Sequence, residues 1–461
     1  MSVLAAFAVP HPPILMPEIG RGEEKEIQKT IDAYNTAMRQ AAALRPQTVV
    51  VTSPHSILYA DYFHISPGEQ AQGSFAQFGA PQVSVQASYD TEFVAALTKI
   101  CGRQKIPAGT FGERTSALDH ATMIPLRFLQ KYDRDFRVVR IGLSGLSPLT
   151  HYRLGQCIAE TTKKLNRRVV LIASGDLSHK LTQSGPYGFA PEGPVFDREV
   201  TAALSAGDFL RLLSLDPQMC EAAAECGLRS FWIMAGALDR RAVTSELLSY
   251  EGPFGIGYGV VSFTVTGGDP ARNFGEQYAA AEKERSAARK EKEDPWVRLA
   301  RYSLETFIKT GQYAKLPQDL PQELRENRAG AFVTLKENGA LRGCIGTISP
   351  VKDSLAEEIL SNAVSAAVDD PRFDPVTARE LPQLVYSVDV LDPPEPITSA
   401  KELDTRRYGV IVENGGRRGL LLPNLAGIDT VEKQISIARQ KAGISAQEPV
   451  RLWRFRVVRH T

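Results

Sequence analysis

Cysteine is scarce in this chain of 461 residues, which contains only five. They are Cys101, Cys157, Cys220, Cys226 and Cys344. An odd number of widely spaced cysteines does not fit the disulfide framework of a small secreted domain. We therefore expect reduced thiols in a cytoplasmic protein.

The chain also lacks an excess of either charge, with 54 basic residues, 53 acidic residues and a net charge of +1. This balance argues against a general nucleic-acid binder, which would need a basic surface. No apolar run reaches the roughly 20 residues that a membrane-spanning helix requires. The N-terminus has no basic region followed by an apolar core and a cleavage site. We therefore expect neither a signal peptide nor a membrane partner.

Histidine is equally scarce, but three of the seven histidines occupy equivalent places in the sequence. Each lies just past an apolar run of strand length: 3–9 before His11, 49–52 before His55, and 169–173 before His179. Runs that are apolar on both faces are typical of strands in the middle of a sheet covered by helices. In open α/β sheets, ligands bind at the C-terminal ends of such strands. The pattern therefore predicts a functional site at that edge.

Residues 1–266 alternate strand-like apolar runs with amphipathic stretches. This alternation predicts a three-layer α/β domain, with helices on both faces of one sheet. A long helix is predicted over 221–238, with Glu225 and Cys226 near its start, and a closing strand over 258–266.

The clearest domain boundary is the segment 267–294. Its second half, 282–294, holds five acidic and five basic residues and no large apolar one. Because these charges cancel, the segment is better read as a solvated linker helix than as a nucleic-acid arm. Residues 295–461 mix helical and strand-like pieces and predict a second domain of α+β type.

His11 and His55 are the strongest candidates for metal ligands, because neighbouring prolines stiffen the loops that carry them. The sequence Glu225-Cys226-Gly227 offers a third ligand. Two histidines and a carboxylate suit non-haem iron(II), whereas a thiolate favours zinc(II) or a softer site. His179 is a candidate acid/base group, because imidazole titrates near neutral pH.

His120 is a second acid/base candidate, since it precedes the helix predicted over 123–131. From the residues alone, His120 could equally cap that helix. Cys226 could equally be an inert buried thiol. Both alternatives stay open at this point.

Five segments carry a family resemblance: VPHPPILMPEIG, TSPH, LDHATMIPLRFL, SGDLSH and AECGLRSFWIMAGAL. In this order they resemble the motifs of the class III extradiol dioxygenase superfamily, the LigB-like proteins, and of their relative Memo. The resemblance covers residues 1–266 and implies that His11 and His55 bind iron. It also implies that His179 moves protons for substrate and oxygen intermediates, with His120 as a further active-site histidine.

The third ligand is where the chain departs from the dioxygenase pattern. Those enzymes carry a glutamate ahead of a Gly-Ala pair in the following helix, and the matching position here is Cys226. Memo-like members have cysteine at that place, in a Cys-Gly motif. Glu225 stays a candidate, because one residue of register at a helix start is within alignment error.

In the second domain, residues 341–348 read LRGCIGTI, and the two glycines predict a turn with close backbone packing. Cys344 could be a reactive thiol, although the favoured interpretation is a buried one. This octet, with DDPRFDPVTARELP and GRRGLLLPN, resembles the AMMECR family over residues 295–461. Such domains occur with Memo-like and radical-SAM proteins, in what is called the AmmeMemoRadiSam system. The resemblance therefore implies a radical-SAM protein of the same pathway as a partner.

The sequence thus predicts a LigB/Memo-like metal domain (1–266), a charged linker (267–294) and an AMMECR domain (295–461). The expected function is an iron(II)-dependent, dioxygenase-like oxidoreductase acting on a small aromatic substrate. One alternative is a zinc(II) enzyme of hydrolase type, in which the same site activates water. The other is a non-enzymatic, Memo-like metal-binding adaptor. Neither the substrate nor the oligomeric state follows from the sequence.

Overall fold

A computed structural model describes residues 3–114, 117–337, 340–425 and 428–461. The chain divides into two compact units, Met1–Glu282 and Lys283–Thr461. The division falls within the charged segment 267–294. Most of that segment is helical, since the helix Phe274–Lys292 runs across the division with Gly275 as its only buried residue.

In its described residues, the first unit has ten strands and ten α-helices, counting the helix that runs across the division. The strands are β1 (Val3–Val9), β2 (Thr48–Ser53), β3 (Phe63–His64), β4 (Gln70–Phe75), β5 (Ala80–Ser88), β6 (Ala108–Gly109), β7 (Arg137–Gly142), β8 (Val169–Ser174), β9 (Arg241–Glu251) and β10 (Tyr258–Gly268). The helices are α1 (Pro17–Gly20), α2 (Gln28–Ala43), α3 (Thr91–Arg103), α4 (His120–Leu129), α5 (Pro148–Leu165), α6 (Glu192–Ala206), α7 (Phe209–Leu213), α8 (Pro217–Ala223), α9 (Leu228–Ala237) and α10 (Phe274–Lys292).

The main sheet of the first unit has the strand order β7-β2-β8-β1-β10-β9. Its first four strands are parallel, and β10 and β9 are antiparallel. Alternate residues of β2 pack into hydrophobic cores on opposite faces of the sheet. Val50 belongs to the core formed with α3, α5 and α9, and Val49 belongs to the core formed with α2 and α4. This arrangement is the predicted three-layer α/β fold.

The three central strands β2, β8 and β1 lie side by side and run in parallel. Their C-terminal ends therefore meet at one edge of the sheet. His55, His179 and His11 follow these three ends, as the spacing of the apolar runs predicts. The fold thus brings distant parts of the chain to a single edge.

The single helix predicted over 221–238 is wrong. The segment forms α8 and α9, separated by a break at 224–227 in which Ala224 adopts a left-handed backbone with φ of 52°. Ala224, Glu225 and Cys226 are compatible with a helix, and a single glycine, Gly227, only weakly disfavours one, so the apolar periodicity outweighed this local sign of the break. Its physical cause is a contact across the sheet edge: the Cys226 N–H donates to the Asp176 carbonyl at 3.4 Å.

In its described residues, the second unit has the helices α11 (Pro295–Thr310), α12 (Gln322–Glu326), α13 (Leu355–Val368) and α14 (Val431–Lys441). Its strands are β11 (Ala331–Glu337), β12 (Ala340–Gly346), β13 (Leu384–Leu391), β14 (Glu395–Ile397), β15 (Gly409–Asn414), β16 (Arg417–Leu421), β17 (Arg451–Phe455) and β18 (Val457–His460). They form two antiparallel sheets, of order β12-β11-β13-β18 and β14-β17-β15-β16. The unit is therefore α+β.

The turn predicted within 341–348 is also wrong, because most of this segment belongs to strand β12. The close packing attributed to its glycines is correct. A Cβ on Gly343 would lie 2.0 Å from the Ala366 carbonyl oxygen, so only glycine lets β12 approach α13 this closely. None of the helices in the described part of the chain combines the length and the apolar composition of a membrane-spanning segment.

Candidate metal centre

His11 is buried at the end of β1, and its ring is held in one orientation. Its Nδ1 lies 3.1 Å from the Ser174 hydroxyl, which itself donates to the Ala121 carbonyl at 2.7 Å. Since the Ser174 hydroxyl uses its proton in the hydrogen bond to the Ala121 carbonyl, its oxygen can only accept a hydrogen bond from His11. His11 therefore carries its proton on Nδ1. The lone pair of His11 Nε2 is therefore free for a ligand.

His55 and His120 are brought together by Asp119, which joins the end of β2 to the start of α4. Its carboxylate accepts from the Ser53 hydroxyl at 2.6 Å and from the Thr122 N–H at 2.9 Å. Asp119 is thus the N-cap of α4, and His120 is the first residue of that helix and not its cap. The rings of His55 and His120 have centroids 4.3 Å apart.

Cys226 reaches the same edge of the sheet through the break between α8 and α9. Gly175 and Gly227 allow this, because a Cβ on Gly175 would lie 2.1 Å from the Gly227 Cα. The Cys226 Sγ accepts a hydrogen bond from the Asp176 N–H at 3.3 Å. The backbone of one loop therefore fixes the thiol of the other.

The Nε2 atoms of His11 and His55 are 3.1 Å apart, and the Cys226 Sγ is 3.7 Å from His11 Nε2. One ligand atom from each of these three residues lies within 4.8 Å of the others. A tetrahedral ion with bonds of about 2.05 Å to nitrogen and 2.3 Å to sulfur would separate its ligand atoms by about 3.3–3.6 Å. The donor set therefore fits one metal ion.

The electrostatic surroundings keep the histidines neutral. Burial, and next the neighbouring His55, place the pKa of His11 well below its usual value. The same two causes lower the pKa of His120 to about 4. Desolvation also lowers the pKa of His55, although Asp119 opposes it. Neutral imidazoles offer their lone pairs to a cation, so the site is prepared for a metal.

Burial raises the pKa of the Cys226 thiol well above its usual value, and the carboxyl groups of Asp176 and Glu225 raise it further. The pKa of Asp176 is itself raised to about 7 by burial, although the N–H of His11 donates to its carboxylate at 2.7 Å. A cation between these groups would lower both pKa values, since it favours the ionised forms.

His179 belongs to a second group of ligand atoms, with Asp176 and Cys226, that also lies within 4.8 Å. Its Nδ1 is buried and has no hydrogen-bond partner among the described residues. Its ring meets the exposed ring of Tyr187 at 5.2 Å. The imidazole is therefore close enough either to bind an ion or to exchange a proton beside it.

Glu225, the other candidate for the third ligand, belongs to neither group of ligand atoms in the described chain. Its carboxylate instead accepts from the Leu228 N–H at 2.7 Å, at the start of α9. The structure thus assembles His11, His55 and Cys226, with His120 and His179 around them, and leaves the Glu225 carboxylate at the helix N-terminus.

Comparison with known proteins agrees with this geometry. Residues 5–261 match the family described as the catalytic LigB subunit of aromatic ring-opening dioxygenase. The chain belongs to the LigB family. Residues 297–460 match a second family, AMMECR1, so the LigB and AMMECR1 domains follow one another as the sequence predicts.

Relatives extend over all or part of the chain. A Clostridium acetobutylicum protein is 40% identical over 468 residues, which cover 100% of this chain and 99% of that protein. A Thermotoga maritima protein is 50% identical over 170 residues, which cover 36% of this chain and 98% of that protein. A crystal structure of a Pyrococcus horikoshii protein matches 36% of this chain and 88% of its own, with 37% identity and a TM-score of 0.34.

Three residues around the candidate metal centre were not predicted from the sequence as site residues. Asp176 lies within ligand distance of His179 and Cys226, whereas Ser174 and Asp119 orient His11 and the start of α4. Ser174 and Asp176 both lie within the SGDLSH segment, and Asp119 precedes His120 directly. The available signal was thus a polar residue in the same short segment as a candidate histidine.

Proposed function

We propose that the LigB domain is a metal-dependent, dioxygenase-like oxidoreductase that uses iron(II) and acts on a small aromatic molecule. The observation that supports this most is the convergence of His11 Nε2, His55 Nε2 and Cys226 Sγ, with His55 exposed to solvent. These three residues would hold the ion, and the exposed side gives a substrate access. Iron(II) bound there would supply Lewis acidity and redox chemistry toward O₂.

The surrounding residues have roles that follow from their positions. His179, with its unpartnered Nδ1, would take or give a proton at the substrate. His120 is neutral at pH 7, since its pKa is lowered to about 4, and would accept a hydrogen bond from a substrate hydroxyl. The ring centroids of Tyr187 and His179 are 5.2 Å apart, as are those of Phe78 and His120. These aromatic rings favour an aromatic substrate between the two histidines.

The test is elemental analysis of protein purified without oxygen, followed by oxygen uptake with a panel of dihydroxybenzenes. We expect one iron per chain, and none in the His11→Ala, His55→Ala double variant. His460→Gln is the control, since this histidine belongs to neither group of ligand atoms. A folded double variant with unchanged metal content would contradict the proposed ligands.

A second candidate function is a zinc(II) enzyme of hydrolase type, and the thiol of Cys226 favours it, because thiolate ligands suit zinc. The protein purified without oxygen distinguishes the two candidate functions. Zinc in place of iron, together with hydrolytic turnover and no oxygen uptake, would support the hydrolase and rule out the oxidoreductase.

A further inference from the structure

The second unit contains a sheet face that carries a row of polar side chains. One face of the sheet β12-β11-β13-β18 packs on α11 and α13 through residues such as Val333 and Leu335. On the other face, Thr334 pairs with Cys344 on β12 and with Ser387 on β13. The Thr334 Oγ1 lies 3.2 Å from the Cys344 Sγ. A thiol and two hydroxyls thus form one row across three strands.

This row lies on the wall of a cavity of about 1010 Å³. That volume is at the upper end of the range of roughly 300–1,000 Å³ found for small-molecule sites. The cavity has a substantial apolar lining, contributed in part by Phe332, Leu341, Leu384, Leu420, Leu422 and Leu425. It therefore has room for the apolar body of an organic molecule.

The charged residues of the same cavity are mostly basic. Its acidic residues are Glu293 and Asp389, and its basic residues are Arg289, Lys292, Arg301, Lys336, Arg372, Lys441 and Arg459. Both acids are buried and already paired, Glu293 with Arg301 and Asp389 with Arg459. Within the described residues, Arg289, Lys292, Lys336 and Lys441 form no ion pair, so the cavity carries uncompensated positive charge.

The backbone of Cys344 is held by an ion pair. Arg372, which lines the cavity, donates to the Cys344 carbonyl at 3.3 Å. Its partner Asp370 is buried and accepts from the Cys344 N–H at 2.9 Å. The residue that carries the thiol is therefore fixed on the cavity wall.

We propose that this cavity is a second ligand site, separate from the metal centre, which binds a small organic anion with an apolar body against Cys344. The basic side chains at its rim would hold the anionic group, a carboxylate, sulfonate or phosphate. The leucines and Phe332 would cover the apolar body. The Cys344 side chain is half-buried and lines this cavity, whereas the interpretation favoured from the sequence was a buried thiol.

The first test uses 8-anilinonaphthalene-1-sulfonate, a fluorescent anion with an apolar body, on the full chain. We expect saturable binding, weakened several-fold in the Lys336→Gln, Lys441→Gln variant, because each change removes an attractive charge. The control is Lys401→Gln, Lys433→Gln, which changes the net charge equally at exposed lysines that do not line the cavity. Equal affinity in both variants would overturn the proposal.

The second test follows the thiol by peptide mass spectrometry. At each cysteine we compare the alkylation rate with the anionic reagent iodoacetate to the rate with neutral iodoacetamide. We expect this ratio to be higher at Cys344 than at Cys220, because the carboxyl groups of Glu225 and Asp216 lie near Cys220 and repel an anion. Saturating probe should protect Cys344 and leave the rate at Cys220 unchanged. A Cys344 that reacts at the same rate with and without the probe would contradict the proposed contact.

Discussion

At the scale of single residues, Glu225 and Cys226 are neighbours in the chain, but their polar atoms have different partners. The Cys226 Sγ faces His11, whereas the Glu225 carboxylate accepts from the Leu228 N–H. A side chain already used at a helix N-terminus is a poor third ligand, and a thiol among neutral imidazoles is a good one. The ligand assignment can therefore be tested one residue at a time.

We expect Cys226→Ser to lower metal content strongly and Glu225→Gln to leave it unchanged. Cobalt(II) loading gives a second readout, because a thiolate ligand produces a charge-transfer band in the near ultraviolet that serine cannot supply. A band that persists in Cys226→Ser, or a site emptied by Glu225→Gln, would reverse the assignment.

Ser174 is a positioning residue, since it holds the Nδ1 of His11 and does not reach the ligand atoms. We expect Ser174→Ala to weaken metal binding about 10–100-fold, the usual effect of losing such a hydrogen bond. A competition titration with a chelator measures this change. Ser230→Ala is the matched control, because the Ser230 hydroxyl is buried without a hydrogen-bond partner among the described residues.

His179 separates proton transfer from metal binding. We expect His179→Gln to keep the metal and the fold, and to lose about 10²–10⁴-fold in turnover of any substrate found. Because His179 also lies within ligand distance of Asp176 and Cys226, metal content must be measured in the same variant. If the site empties, His179 is a ligand and the zinc alternative gains support.

At the scale of elements, the proposed metal centre depends on the contact between the loop after β8 and the break between α8 and α9. Gly175 and Gly227 meet there without side chains, and Ala224 turns the chain with a φ of 52°. A side chain at this contact would push Cys226 away from His11. Backbone packing therefore determines the position of Cys226, the proposed third ligand.

We expect Gly175→Ala to lower the free energy of unfolding by about 1–3 kcal/mol, since the new Cβ would clash with the Gly227 backbone. Urea denaturation measures this loss, and metal content should fall with it. Gly102→Ala is the control: its Cβ meets nothing within 4 Å in helix α3, so it should raise stability by about 0.5–1 kcal/mol. A fully stable Gly175→Ala protein would disprove the clash.

At the scale of the whole molecule, each unit has its own hydrophobic cores. Those of the first unit lie on the two faces of its six-stranded sheet, and a core of the second unit lies between α11, α13 and their sheet. Helix α10, which runs across the division, buries only Gly275. Its first turns contact a core of the first unit through Phe274 and Tyr278, but the part from 282 to 292 has no large apolar side chain, so it gains little from packing and is marginal in water.

We therefore expect limited trypsin digestion to cut between Gly267 and Asp294 and to release two fragments. Lys283, Arg285 and Arg289 are exposed there. Each fragment should unfold cooperatively on heating, and a glutamate-specific protease should give fragments of nearly the same mass. Resistance to both proteases, or fragments that precipitate, would show that the units depend on one another.

The sequence by itself determined the strands β1, β2 and β8 and the histidines that follow them. Their apolar runs are local signals, and parallel strands in a covered sheet bring their C-terminal ends to one edge. Strand β9 was not predicted, because this edge strand is partly exposed and lacks such a run. Local apolar content is thus informative for buried strands and weak for exposed ones.

The tertiary structure alone decided which candidate third ligand lies near His11 and what surrounds Cys344. The break at 224–227 depends on a contact between glycines far apart in sequence, so residues compatible with a helix did not reveal it. Likewise, Cys344 lies in a strand whose neighbours in the sheet are Thr334 and, beyond it, Ser387. These positions follow from non-local backbone packing and strand pairing, which the spacing of residues along one segment cannot specify.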